Sequence, residues 1–155
     1  MSQEQNKNTM AALPVSALIP TLNAAAALRP TLAALRGQVA EIIIADGGST
    51  DGTPDIAADH GARVISTPRG RGVQLRAAAE AASQPWLLAL HADTRPGNGW
   101  QDAITGFIKR PKASAEAGYF RFVLDDPAPE ARRLEAMVAW RCLLYTSDAA
   151  DDLTR

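Results

Sequence analysis

Apolar positions in this chain fall into short blocks, each closed by glycine, proline or short polar residues. Val15 to Ile19 is one such block, ended by Pro20. Its length and its breaker predict a buried strand. From Asn23 to Arg36 the pattern changes. Leu28, Leu32 and Leu35 recur at helical spacing, and Gly37 stops the run. Pro30 is expected in the first turn of that helix, where a missing N–H costs nothing. Glu41 to Ala45 contains three consecutive isoleucines, the pattern of a strand buried on both faces. Asp46 to Gly52 reads as a turn, with Thr53 as the expected helix cap and Pro54 as the first helical residue. That helix should stop at Gly61.

Arg63 to Ser66 reads as a third strand, Pro68 to Gly72 as a basic glycine loop, and Val73 to Ala82 as the next helix. Pro85 to Leu90 is a fourth strand running into His91-Ala92-Asp93-Thr94. A helix is expected over about Trp100 to Lys109, a fifth strand over Gly118 to Val123, and a helix from Pro129 to about Trp140. Strands alternating with helices of this length predict an α/β fold. Its sheet should be doubly wound and mostly parallel, with helices on both faces. Residues 1–13 have no periodicity and are expected to be a disordered leader.

Composition narrows the class. The 155 residues are 46% hydrophobic and 21% charged, which supports a packed core. Sixteen basic against 17 acidic residues lack the footprint of a dedicated nucleic-acid binder. A single cysteine excludes an intramolecular disulfide and a cysteine-only metal cluster. No apolar run reaches the roughly 18 residues of a membrane span, and Met1 to Met10 is polar. A cytoplasmic location is therefore expected.

In open α/β sheets ligands bind beyond the carboxyl ends of the strands. Three of these ends carry chemistry: Pro20-Thr21-Leu22-Asn23, Asp46 with its Gly-Gly-Ser-Thr-Asp-Gly turn, and His91-Ala92-Asp93. Asp46 has two readings, a hydrogen-bond acceptor for a base or ribose and an Asx-turn aspartate satisfied by nearby amides. Ser49, Thr50 and Asp51 read first as turn formers. If strand geometry continues, His91 and Asp93 point to one side and could share one divalent cation. A histidine would bias that site from Mg²⁺ toward Mn²⁺. Arg69 and Arg71 open a helix, which suits a pyrophosphate, although solvated loop arginines are the commoner case. Trp86, Trp100 and the Tyr119, Phe120 and Phe122 group read as packing residues. His60, before a helix-ending glycine, reads as structural.

In combination these motifs are more specific. Leu18-Ile19-Pro20-Thr21-Leu22-Asn23, Ile44-Ala45-Asp46-Gly47-Gly48-Ser49-Thr50-Asp51-Gly52-Thr53 and Leu88-Ala89-Leu90-His91-Ala92-Asp93-Thr94, in this order, resemble the family 2 inverting glycosyltransferases of GT-A fold. The second and third look like a bacterial subgroup often linked to arsenosugar biosynthesis. The resemblance runs from about Val15 to Arg141. It implies a nucleotide-sugar site formed by Pro20, Thr21, Asn23, Asp46, Ser49, Asp51 and Arg71. Thr21 and Asn23 would line the nucleotide, Asp46 would contact the base, and Arg71 would lie near the diphosphate. Asp93 matches the last acid of the family's Asp-x-Asp metal motif, and His91 stands at its first. The implied cofactor is Mn²⁺ or Mg²⁺. The implied partners are a nucleotide-sugar donor and a small-molecule, glycan or lipid acceptor. A lipid acceptor would place the protein at the inner face of the cell membrane.

Inversion needs a carboxylate base, which the family carries well beyond the matched region. Asp125, Asp126, Glu130 and Glu135 lie too close to the fifth strand for that position. The segment Cys142 to Arg155 instead resembles a translated transposase sequencing adapter, so residues 14–141 are expected to be the N-terminal nucleotide-binding part of a longer domain. The other reading is a native, Asp-rich C-terminus. Without that segment the chain has 15 basic and 14 acidic residues and a formal charge of +1. Two further functions fit the fold class: a sugar-nucleotide nucleotidyltransferase and a non-catalytic nucleotide-binding module. The first calls for a basic, glycine-rich loop after strand one, and Pro20 to Asn23 has no Lys or Arg.

Overall fold

A computed structural model describes residues 11–139, and the chain divides into two compact units at Lys109/Arg110. The first unit runs β1 (Leu13–Thr21), α1 (Ala25–Leu35), β2 (Val39–Asp46), α2 (Thr53–Asp59), β3 (Arg63–Ser66), α3 (Arg71–Ala81), β4 (Trp86–Ala89) and α4 (Trp100–Ile108). Its four strands form one parallel sheet in the order β3-β2-β1-β4. The α/β class, the parallel sheet and the helices on both faces agree with the expectation from periodicity.

The order explains the burial. β1 lies between β2 and β4, and Val15, Ala17 and Ile19 alternate with Ser16 and Leu18 across its two faces. The odd positions join a core with Leu28, Leu32 and Leu35 of α1, Ala57 of α2 and Trp100 of α4. Leu18, Ile43 and Ala45 pack on the other face against Ala78 and Leu75 of α3. The one polar β1 residue on that face, Ser16, is fully buried and donates to Glu41 Oε2 at 2.5 Å. Glu41 Oε2 also accepts the backbone N–H of Ser83, and Gln84 N–H donates to Ser16 Oγ. Burial raises the Glu41 carboxyl, but the hydrogen bonds from Ser16 and Ser83 outweigh it and hold the group below its ordinary range. This cluster pins the α3–β4 turn beside β1.

Several local expectations are corrected. Pro20 lies inside β1, opposite Ala45 of β2. Leu18 C=O, two residues back on the same strand edge, accepts the N–H of Leu90. Pro20 has no N–H to continue that ladder, so β1 and β4 part there. β4 is correspondingly shorter than Pro85–Leu90. Helix α1 starts at Ala25, after Asn23, and Pro30 is its sixth residue, not a first-turn residue. Pro30 deprives Ala26 C=O of its helical partner, at a cost of about 3 kcal/mol. Full burial of Leu28, Leu32 and Leu35, at roughly 1.5–3 kcal/mol each, outweighs it. The N-cap of α2 is Gly52, at φ +78°, and Thr53 is already helical. α3 begins two residues earlier than expected, at Arg71.

The second unit contains a 3₁₀ turn, Ala113–Ala115, and a helix over 129–139. The fifth strand expected over Gly118–Val123 is absent: its alternation finds no neighbouring strand to pair with among the described residues. Tyr119, Phe120 and Phe122 are exposed, not packed as expected, whereas Trp100 is buried and Trp86 half-buried. The leader to residue 10 and the segment from residue 140 onward lie outside the described residues.

Candidate functional site

The chain leaves β1 for β2 and β3 on one side and returns through α3 to β4 on the other. The point where the order reverses is therefore the gap between β1 and β4, which is where doubly wound sheets hold ligands. A cleft of about 310 Å³ opens there. Pro20, Thr21, Asn23 and Ala24 form one lip, and His91 and Asp93 form the other. Pro20 helps open this gap by ending the β1–β4 ladder.

Hydrogen bonds between the β1 and β2 loops make the first lip rigid. Thr21 Oγ1 donates to Asp46 Oδ1 at 2.9 Å, and Thr21 C=O accepts the N–H of Gly47. Asn23 adopts the left-handed conformation at φ +51°, which asparagine tolerates. Its N–H donates to Ser49 Oγ at 2.8 Å, and its Oδ1 accepts the Thr50 N–H at 2.9 Å. Its Nδ2 has no partner among the described residues and remains available to a ligand. The first amides of α1 are capped from the β2 loop: Ala24 N–H by Thr53 Oγ1 and Ala25 N–H by Asp51 Oδ2. The Thr53 hydroxyl, followed by the Ala25 amide, holds the Asp51 carboxyl below its ordinary range.

Asp46 is 5% exposed. Its Oδ1 accepts Thr21 Oγ1 and Ser49 Oγ, and its Oδ2 accepts the amides of Gly48 and Ser49. A carboxylate offers about four acceptor positions, so this loop occupies all of them. Of the two readings for Asp46, the geometry carries the turn-building one. Burial raises its carboxyl, and the bonds from Ser49, Thr21 and Gly48 outweigh burial, so the group ionises below its usual range. Ser49 and Asp51 likewise spend their side chains within the two loops.

Two supporting residues were missed by reasoning from sequence, and a third takes another role than expected. Gln74, buried in α3, donates from Nε2 to Thr21 C=O at 2.7 Å and to Ala45 C=O at 2.8 Å. It shares the buried face of α3 with Ala78, and a glutamine on such a face is the signal that points to it. Thr31, fully buried in α1, donates to Ala92 C=O at 2.8 Å and so anchors the turn between His91 and Asp93. Thr53, expected only as a cap for its own helix, caps α1.

On the second lip, strand geometry ends at Ala89. The same-side argument for His91 and Asp93 therefore does not apply. A turn carries both to the cleft instead, closed by Thr94 N–H to His91 C=O and His91 N–H to Thr94 Oγ1. Arg71, the first residue of α3, donates to His91 Nε2 at 2.5 Å. A guanidinium has no acceptor, so Nε2 takes the acceptor role and the ring proton sits on Nδ1. The Asp93 carboxylate has no hydrogen bond or ion pair among the described residues. No three His, Cys, Asp or Glu side chains converge as a metal cage among them. Asp93 fits a cation held by one carboxylate, with phosphate oxygens and water completing the shell, as is usual for Mg²⁺.

His60 and Glu135 have structural partners. His60 Nδ1 bonds Ile56 C=O at 2.8 Å at the end of α2, as expected of a structural histidine. Glu135 accepts Leu124 N–H and Arg132 Nη1. No described helix is long and apolar enough to cross a membrane.

Comparison with known proteins gives the family and the fold. The family model for glycosyl transferase family 2 matches residues 16–152, a span that runs on into the segment after Arg141. Glycosyltransferase AglJ of Haloferax volcanii is 38% identical over 82 residues, covering 51% of this chain and 27% of that protein. The lipopolysaccharide core biosynthesis glycosyltransferase LpsC of Rhizobium meliloti is 39% identical over 89 residues, covering 54% and 33%. Glucosyl-3-phosphoglycerate synthase from Mycobacterium tuberculosis, in complex with Mn²⁺, uridine diphosphate and glucosyl-3-phosphoglycerate, superimposes with a TM-score of 0.52 at 28% identity. That match covers 61% of this chain and 39% of the other. The chain spans only 27% and 38% of the lengths of the first two curated relatives.

Proposed function

Since the chain belongs to glycosyl transferase family 2, we propose that the β1–β4 cleft takes a nucleotide-diphospho-sugar and that the whole protein transfers the sugar, with inversion, to an acceptor hydroxyl. The observation that carries this reading is the cleft itself. It lies at the topological switch point, with Thr21 and Asn23 on one lip, Asp93 on the other and Arg71 on the same sheet edge. The uridine diphosphate and Mn²⁺ named for the similar synthase support a donor of that class.

The roles follow from what each side chain has free. Asn23 Nδ2 is a donor for the nucleotide. Asp46 serves the nucleotide indirectly, by fixing Thr21 and the turn after β2. Arg71 supplies positive charge for the diphosphate at the start of α3, where the first helical amides also favour an anion. Asp93 would hold Mn²⁺ or Mg²⁺, and a bound divalent cation stabilises the charge that develops on a departing diphosphate. The acceptor base lies outside the described carboxylates, of which Glu135 is already committed to Arg132 and Leu124. In this reading the β1–β4 cleft holds nucleotide and metal, and the acceptor base comes from elsewhere in the whole protein.

Titration calorimetry with UDP- and GDP-sugars, with and without Mn²⁺ or Mg²⁺, tests the proposal. Metal-dependent binding that is lost in Asp93→Ala is expected. Absence of binding with both nucleotides and both metals would leave the non-catalytic reading. Robust transfer by the 155-residue chain, lost in Asp93→Ala, would overturn the placement of the base. Genomic DNA downstream of the Arg141 codon tests whether 142–155 is native.

A further inference from the structure

His91 occupies the first position of the expected metal pair, yet its Nε2 lone pair is already taken. Arg71 donates to it, which leaves the ring proton on Nδ1. A cation at Nε2 would have to displace this guanidinium and would then sit beside a fixed positive charge, an unfavourable pairing at contact distance. Asp93, two residues on, has no partner among the described residues, and no third ligand converges with the two. The turn that presents both is anchored independently, through Thr31 Oγ1 to Ala92 C=O and through Thr94.

We propose that His91 is a positioning residue for Arg71 and not a metal ligand. Its Nε2 holds the guanidinium at the β4 side of the cleft, where Arg71 meets the donor diphosphate. Asp93 is the protein ligand that residues 11–139 offer the cation. The inference rests on the nucleotide-sugar reading for Arg71's target, while the Arg71–His91 pair stands apart from it. It divides the His-Ala-Asp motif between two tasks, phosphate recognition through His91 and cation binding through Asp93. It also explains why a histidine serves where the resemblance implies an acid. An aspartate at position 91 would neutralise Arg71 with a full charge, whereas a neutral imidazole orients the guanidinium and leaves its charge for the phosphates.

Two measurements on the full 155-residue chain test it. The first is the imidazole ¹⁵N spectrum at about pH 8, above the ordinary histidine range. The chain has two histidines, His60 and His91, and His91→Gln assigns their signals. The Nδ1–H form of His91 is expected in the wild type and should give way to the Nε2–H form in Arg71→Ala. An unchanged tautomer in Arg71→Ala would overturn the pair. The second is calorimetry of UDP with Mn²⁺. His91→Ala and Arg71→Ala should each weaken UDP about tenfold, and the double variant no further, as for two members of one charge-assisted contact. The Mn²⁺ concentration for half-saturation should stay within about twofold of wild type in His91→Ala and rise more than about tenfold in Asp93→Ala. An equal rise in both single variants would restore His91 as a metal ligand and overturn the proposal. A wild-type chain that binds no UDP with any metal would remove the nucleotide reading and Arg71's target with it. The imidazole spectrum would still decide the pair.

Discussion

The carboxylate of Asp51 accepts the backbone N–H of Ala25 at 3.0 Å, so the loop that follows β2 caps the helix that precedes it. Helix α1 has no side-chain cap of its own. Its first amides are satisfied across the sheet edge by Asp51 and Thr53, and unsatisfied helix-end amides would be costly. The lip that includes Asn23 and Ala24 depends on this contact. Asp51→Ala should therefore lower the thermal midpoint and weaken nucleotide binding together. Asp51→Asn, which keeps one acceptor oxygen, should recover part of both. Circular dichroism melts beside calorimetry would show it. A loss of affinity with an unchanged melt would mean that Asp51 contacts the ligand directly.

Acid should loosen both ends of the sheet, Asp46 and Asp51 at the cleft edge and Glu41 at the opposite one. Glu41, Asp46 and Asp51 all ionise below their ordinary range in the folded chain. A lowered folded value contributes stability that is complete above the unfolded value, near about 4. That stability is lost as pH falls through the folded values. The urea midpoint should hold steady from neutrality to about pH 5 and then fall steeply. Asp46→Asn should lower the plateau by about 2–4 kcal/mol, because two of the four donors then face an amide NH2 in place of an oxygen and the other two lose a charged acceptor, and should flatten part of the acid limb.

Gln74 ties the two strand ends that carry the site. Gln74→Leu removes two buried donor bonds, to Thr21 C=O and Ala45 C=O. It should cost about 1–3 kcal/mol in chemical denaturation. Gly47→Ala should reproduce part of that loss, because an added Cβ would lie 3.2 Å from Gln74 Nε2 and 3.5 Å from Thr21 C=O. Additive losses in the double variant would show that the two residues act separately.

Pro30→Ala should stabilise the protein. It returns a backbone donor to the interior of α1 at the site Pro30 now leaves open. Relief of about 3 kcal/mol, less about 0.4–1 kcal/mol for a more flexible unfolded chain, leaves a gain of roughly 2 kcal/mol. A shift of the urea midpoint to higher concentration at constant slope would confirm it. No gain would mean that α1 bends around Pro30 without strain.

By itself the sequence determined the order and type of the elements in the first unit. The isoleucine run of β2, the leucine spacing of α1 and the glycine stops are local signals with local causes. They also placed Thr21, Asn23, Asp46 and His91–Asp93 at strand ends, because alternation of strand and helix implies which ends share an edge. Only the tertiary structure decided what those side chains do there. Asp46, Ser49 and Asp51 find their partners 20 or more residues away or across a tight turn, and a carboxylate's free lone pairs can be counted only when every donor around it is in place. The same holds for Gln74 and Thr31, whose partners are backbone carbonyls with no mark in the sequence, and for His91, whose lone pair is claimed by the arginine that opens α3. Gly118–Val123 shows the converse. Its alternation is a strand signal, but a strand exists only where a neighbour completes its hydrogen bonds.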